Sequence, residues 1–329
     1  MILKNLKIII LLYFTLNVIL SCNRASVTGS NINNNEDITA LSSVDLTAII
    51  PPKAGSKFLY IANGGFPIYC NISQINGNIL DCNNTGLNID KAIGISIYKK
   101  YAFVLNRGEN QIYKCYISNN GMLTYCSVNI ISNLIQDSKH LTINNGYLYI
   151  GNYGSDSITY CEITELGDLK NCNMTGSNSN NAYSIRTNEN YIYIGRNNTN
   201  AINVCSISTI NGQLNTCNSS ISISQPWGFA FLSGYFYATS LSDNAIYGSQ
   251  ISSNGTLKPV TLKFTHPMIQ SPVSMTQDKN NFYLLTANAN KVIQCVLDNS
   301  GMNLNYCSQY DGDLNQFSNN ESELVFVKF

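Results

Sequence analysis

Tyr101-Ala-Phe-Val-Leu-Asn106, Arg107-Gly-Glu-Asn110, Gln111-Ile-Tyr-Lys-Cys-Tyr-Ile-Ser118 and Asn119-Asn-Gly121 follow one another without a break, and their reading decides the fold. The first run is short, aromatic and aliphatic. The second is a polar turn containing Gly108. The third alternates, with Ile112, Lys114, Tyr116 and Ser118 on one face and Tyr113, Cys115 and Ile117 on the other. Such runs are too short for typical helices and rich in β-formers. Asn120-Gly121 takes up the positive φ angles of a hairpin turn. Leu123 to Asn129 is the returning strand, and His140 to Asn144 supplies one more strand in the spacer that follows.

This unit is written six times between Lys57 and the C-terminus. The first cysteines stand at Cys70, Cys115, Cys161, Cys205 and Cys295, with Gly248 in the slot of the fifth copy, so successive steps are 45, 46, 44, 43 and 47 residues. Equivalent second strands begin at Phe58, Tyr147, Tyr191, Tyr235 and Phe282, and hairpin turns recur at Asn76-Gly77, Leu166-Gly167, Asn211-Gly212, Asn254-Gly255 and Ser300-Gly301. Four strands per repeat of this length describe a β-propeller blade. No helical pattern follows residue 22, which excludes an α-solenoid. The first copy lacks an inner strand before Phe58, while Glu323 to Phe329 reads as an unassigned strand. Placing that tail in the first blade closes an all-β, six-bladed ring over residues 57–329 and removes exposed strand edges. A seventh blade would have to come from residues 23–56, where Val44 to Ile50 is the one strand-like run.

The second cysteines, Cys82, Cys126, Cys172, Cys217 and Cys307, follow the first by 11 or 12 residues. Copy five lacks both members, with Gly248 at one slot and Pro259 or Val260 at the other, and no copy lacks one alone. That is the pattern of residues bonded to each other. Cys115 and Cys126 are symmetric about Asn120-Gly121, so a two-residue turn would oppose them, and the 12-spaced pairs would absorb one residue in a bulge. Zinc would need ligands two to four residues apart or four converging ligands, and the histidines are only His140 and His266.

Met1 to Ser21 has an early Lys4 and Lys7 and an apolar run from Ile8 to Leu20, the layout of a secretory signal too short for a confident transmembrane helix. Cys22 is the eleventh, unpaired cysteine. With Ile19-Leu20-Ser21 before it, it resembles the bacterial lipobox. The resemblance implies lipidation of Cys22, a membrane tether and, with Asn23 rather than aspartate next, an outer-membrane or surface address in a bacterial envelope. Residues 22–56 then form the anchor and a flexible, Asn-rich linker. The alternative is an ordinary cleaved signal. Seven Asn-X-Ser/Thr sequons, at Asn71, Asn83, Asn173, Asn197, Asn218, Asn254 and Asn320, follow from the abundance of asparagine.

Nineteen basic residues face nineteen acidic ones, and only 12% of the chain is charged, so no basic stripe is available for nucleic acid. The 21 tyrosines fall mostly in strands, where packing between blades is their main role. Runs such as Phe58-Leu-Tyr-Ile-Ala-Asn63 and Tyr147-Leu-Tyr-Ile-Gly-Asn152 resemble the repeats of YVTN and lactonase-type propellers, from which the paired cysteines depart. The resemblance implies a secreted or surface propeller that binds proteins or glycans, or a lactonase. There is no Gly-X-Ser-X-Gly, His-Glu-X-X-His, phosphate loop or EF-hand loop, and no cofactor is called for. A lactonase would place calcium at the channel mouth, where Glu321, Glu323, Asn181 and Asp90 are the available ligands. A binding propeller would use the loops entering the inner strands (Lys91, His140, Trp227) and those leaving the second strands (Arg107, Tyr153, Arg196). The plainer readings are a polar loop residue for His140 and an interblade wedge for Trp227.

Overall fold

The computed structural model describes residues 50–89, 91–131, 133–155, 157–175, 182–287, 291–312 and 322–329. Six four-stranded antiparallel sheets make up a β-propeller. From hub to rim, blade 1 is Glu323–Lys328, Lys57–Ala62, Ile68–Ile72 and Ile79–Asn84. Blade 2 is Ala92–Tyr98, Tyr101–Asn106, Gln111–Ile117 and Leu123–Ile131. Blade 3 is Ser138–Asn144, Tyr147–Asn152, Ser157–Ile163 and Leu169–Thr175. Blade 4 is Ala182–Asn188, Tyr191–Arg196, Ala201–Ile207 and Leu214–Ser222. Blade 5 is Pro226–Leu232, Tyr235–Ser240, Ala245–Gln250 and Leu262–Thr265. Blade 6 is Pro272–Asp278, Asn281–Thr286, Lys291–Leu297 and Leu304–Gln309.

The C-terminal strand pairs with the first strand of the propeller along its whole length, from Lys57↔Lys328 to Ala62↔Glu323. Each inner strand also packs on the inner strands before and after it, which closes the ring at six blades. Cys22, the segment expected to be a signal and the expected linker up to residue 49 lie outside the described residues, as do Asp90, Asn181 and Glu321. No helix among the described residues is long and apolar enough to cross a membrane.

A repeated latch joins the blades. At one matching position of the second strand, five blades carry a fully buried tyrosine whose hydroxyl donates to the carbonyl of the hairpin glycine of the next blade. The pairs are Tyr60 to Gly121 (2.8 Å), Tyr149 to Gly212 (2.9 Å), Tyr193 to Gly255 (2.9 Å), Tyr237 to Gly301 (2.7 Å) and Tyr283 to Gly77 (2.6 Å). The last of these spans the ring closure. Blade 2 has Phe103 in the slot, and there Asn129 takes over, donating to the Gly167 carbonyl (2.9 Å) and accepting from the Leu169 amide (3.0 Å). A buried carbonyl needs a partner, and the repeat supplies one from the neighbouring blade. The hairpin glycine is required twice over. Gly255 has φ +77°, and a Cβ there would lie 2.4–2.5 Å from the Tyr191 ring.

All five cysteine pairs are disulfides between the two outer strands of one blade, with Cα atoms 3.9–4.1 Å apart. Bonds of this kind persist in oxidising compartments, outside the cell or in the periplasm. The spacing has a different cause from the expected one. Every one of these hairpins has a register offset beside its cysteines. The 11-spaced pairs close over links 118–122 and 164–168, and the 12-spaced pairs over links 73–78, 208–213 and 298–303. The extra residue therefore sits in the turn, and the bulge is common to all. In blade 5, Gly248 faces Leu262 rather than Pro259 or Val260, because the link after Gln250 is longer. The Leu262 side chain fills that space, 2.9 Å from where a Gly248 Cβ would stand.

Candidate binding site at the mouth of the hub

Each inner strand has one edge without a neighbouring strand, so its outward amides must find other acceptors. Side chains of the adjacent blade supply them. Ser274 Oγ accepts from Leu324 N (2.9 Å), Thr276 Oγ1 from Phe326 N (3.2 Å), Thr142 Oγ1 from Thr187 N (3.3 Å) and Gln277 Oε1 from Phe231 N (2.5 Å). Glu323, almost fully buried, reaches past blade 2 to blade 3. Its Oε2 accepts from Ile95 N (2.9 Å) and Leu141 N (3.3 Å), and its Oε1 lies 3.5 Å from His140 Nδ1. Gly94 makes room for that carboxylate, because a Cβ there would stand 3.2 Å from Oε2. Arg186 donates across the hub to Thr276 Oγ1 (2.9 Å). Desolvation pushes the guanidinium down from its ordinary value, and the Glu323 carboxylate partly offsets this. The hub is thus a polar plug whose groups satisfy one another.

Above the plug, one local feature recurs. The inner strands of blades 2 to 6 each slip register just inside their first residue, between Ala92 and Gly94, Ser138 and His140, Ala182 and Ser184, Pro226 and Phe229, and Pro272 and Ser274. A bulge re-aims the side chain it carries. The residues so displaced are Ile93, Lys139, Tyr183, Trp227 and Val273. Blades 3, 4 and 5 contribute the chemistry. Trp227 and Tyr183 rings are 4.2 Å apart, and Tyr153 meets Tyr183 edge-on at 5.7 Å. The Lys139 ammonium stands over both tyrosine rings, at 5.5 and 5.6 Å. Asp137 answers that charge at 3.7 Å and pairs with Arg107 Nε at 2.5 Å. Trp227 is 5% exposed, yet its buried Nε1 has no acceptor among the described residues. An unpaired buried donor costs about 1–3 kcal/mol, so an acceptor brought here is favoured by a similar amount.

The six residues expected at a binding face divide. Arg107, Tyr153 and Trp227 join one chain of contacts through Asp137, Lys139 and Tyr183. Lys91 is exposed and lies across Gly108, beside Arg107. Arg196 ends its strand opposite Ala182, at the same end of the blades. His140 is neither in a loop nor at the surface. It lies within the inner strand Ser138–Asn144, buried against Glu323, because the strand begins two residues earlier than its sequence suggests. Asp137, Lys139 and Tyr183 were missed by sequence reasoning. The signal for the last two was their alignment with Trp227, one residue inside the start of an inner strand. Of the calcium ligands considered, Glu323 is committed to amides of two blades. Among the described residues no group of three or more His, Cys, Asp or Glu side chains is close enough to hold a metal ion.

No family model matches the chain, and no curated protein matches it. Solved structures do. A chain of a nidogen–laminin complex has a TM-score of 0.62 at 14% identity, covering 82% of this chain and 98% of its own. A periplasmic gluconolactonase of Pseudomonas aeruginosa has a TM-score of 0.57 at 12% identity, covering 83% and 85%. A putative 6-phosphogluconolactonase of Bacteroides fragilis has a TM-score of 0.52 at 15% identity, covering 84% and 86%. At such identities the likeness is one of fold, and one fold carries unrelated functions. By its sheets the chain is a six-bladed β-propeller, and its fold is similar to those of a nidogen–laminin complex chain, a gluconolactonase and a putative 6-phosphogluconolactonase.

Proposed function

We propose that this propeller is a binding module of the bacterial envelope whose partner, a protein or a glycan, is held by the face around the mouth of the hub. The observation that carries this reading is the arc Arg107–Asp137–Lys139–Tyr153–Tyr183–Trp227, with an indole donor that has no acceptor among the described residues. Tyrosine, tryptophan and arginine are the side chains that dominate recognition surfaces. The plug beneath the arc supports binding over turnover, since the Glu323 carboxylate at its centre is engaged with backbone amides. Lipidation of Cys22 would tether the propeller to a membrane through the Asn-rich linker, in the outer membrane or at the surface. A calcium-dependent lactonase is the competing reading, suggested by the sequence resemblance.

The test is affinity capture from envelope extracts with the intact protein. The comparison variants are Arg107→Ala/Tyr153→Ala and Trp227→Phe, the second of which keeps the packing and deletes the indole N–H. Loss of a partner with both variants supports the face, and equal capture removes it. Lactone hydrolysis abolished by chelation would favour the enzyme instead. Incorporation of labelled palmitate by the wild type and not by Cys22→Ser tests the anchor.

A further inference from the structure

The six seams between blades are built on one plan, and the seam of blades 6 and 1 carries amides at two places where rings are usual. Two residues before the latch position stand Phe58, Tyr101, Tyr147, Tyr191 and Tyr235 in blades 1 to 5, and Asn281 in blade 6. The residue before the first cysteine slot is Tyr69, Tyr160 and Tyr247 in blades 1, 3 and 5, Lys114 and Val204 in blades 2 and 4, and Gln294 in blade 6. At the seam of blades 1 and 2, aromatic rings fill the space against the next hairpin. A Cβ on Gly121 would meet the Tyr69 and Phe58 rings at 2.7–2.8 Å. At the seam of blades 6 and 1 both aromatic slots have become amides, bonded to each other from Gln294 Nε2 to Asn281 Oδ1 (2.8 Å).

At the corresponding seam of blades 2 and 3, a cleft of about 400 Å³ is walled by Tyr101, Tyr116, Tyr125 and Leu166. Here a cleft of about 320 Å³ opens beside Gln294, with Ile79 and Tyr310 also in its lining. Gln294, 4% exposed, forms its floor, and Asn78, Ser308 and Asp311 stand exposed at its rim. Gln309 is held from both sides, accepting from Lys291 Nζ (2.8 Å) and donating to Asp311 Oδ1 (2.9 Å). Ser308 and Gln294 are opposed across the sheet, and the next pair along is the Cys295–Cys307 disulfide, which staples this wall. Fixed polar groups of this kind preorganise a site. Its volume lies at the low end for small-molecule pockets.

From this geometry we infer that the cleft between blades 6 and 1 is a second binding site, which takes a single pyranose residue of a neutral saccharide. Amides and a hydroxyl offer both donors and acceptors, as sugar hydroxyls require. Lys291 and Asp311 balance in charge through Gln309, which disfavours a net ion. A largely apolar ligand would leave the amides unpaired, at a cost that specificity of this type relies on.

The test uses the intact protein and a panel of methyl glycosides of glucose, galactose, mannose and N-acetylglucosamine, read through the amide resonances of Ser308, Gln309 and Asp311. At least one glycoside should shift them. Gln294→Tyr restores the ring found at three other seams, so it should fold and weaken that binding at least tenfold. Ser308→Ala/Gln309→Ala, at the rim, should weaken it about tenfold, the effect of one lost hydrogen bond. Trp227→Phe should leave it unchanged, which separates this site from the mouth. The inference fails if no glycoside shifts these resonances, if Gln294→Tyr binds equally well, or if only free amino acids or inorganic phosphate bind.

Discussion

The rim and the hub are held by opposite kinds of bond. At the rim, five disulfides each join two strands of the same blade, and no sulfur bond crosses from one blade to another. At the hub, Glu323, Ser274, Thr276, Thr142 and Gln277 each reach into a different blade from their own. Between them lies the tyrosine latch, also from blade to blade. The difference teaches that sulfur staples five blades one by one and cannot close the ring. Closure is left to packing and hydrogen bonds that exist only once six blades are in place. This suits a small outer hairpin, which buries little and gains from a staple, and a crowded centre, which gains from saturating its amides.

The contrast breaks most completely if the closing strand is removed. Deleting residues 323–329 takes away Glu323 and exposes the edge of Lys57–Ala62, so no cooperative urea transition should remain although all five disulfides form. A seam can be attacked alone with Gly255→Ala. Its positive φ and the Tyr191 ring at 2.4–2.5 Å should together cost about 2–4 kcal/mol in chemical denaturation. At the rim, Cys295→Ser/Cys307→Ser should cost up to about 3 kcal/mol, while the sixth bridge, Gly248→Cys/Leu262→Cys, should add at most a similar amount in the blade that lacks one. If losing a rim bridge proved worse than losing the closing strand, the division of labour drawn above would be wrong. Tyr149→Phe imitates Phe103 without an Asn129 to compensate, and about 1–2 kcal/mol should be lost.

The latch can be titrated as well. Burial raises the phenols of Tyr60, Tyr149, Tyr193, Tyr237 and Tyr283 above their ordinary value. Above about pH 10 the unfolded chain releases protons that the folded protein retains, so stability should be level below that pH and fall as pH rises beyond it. Urea midpoints across this range, followed with tyrosinate absorbance, check the sign. A protein with all five latch tyrosines changed to phenylalanine should lose most of the alkaline dependence.

Much of this architecture is written along the chain. The period of the cysteines, the Asn-Gly turns and the spare strand at Glu323 contain the blade count and the closure, because each is a local pattern repeated at a constant interval. The disulfide partners are legible for the same reason, being neighbours across a single turn. The hub was not. Glu323 meets Ile95 and Leu141 across separations of 228 and 182 residues, and nothing near any of them in sequence announces it. His140 read as a loop residue because the register of an inner strand depends on where its partner strand begins. The arc at the mouth depends on a bulge shared by five strands, which moves Lys139, Tyr183 and Trp227 to one place.

By itself, then, the sequence determined the repeat, the blade, the number of blades and the sulfur pairing, since these rest on contacts between residues close in the chain. Only tertiary structure decided which polar groups meet at the centre, which aromatic residues gather at its mouth, and which seams open into clefts. Those outcomes depend on the curvature that brings six repeats around to meet, and on small departures from symmetry whose effect is felt only across a seam.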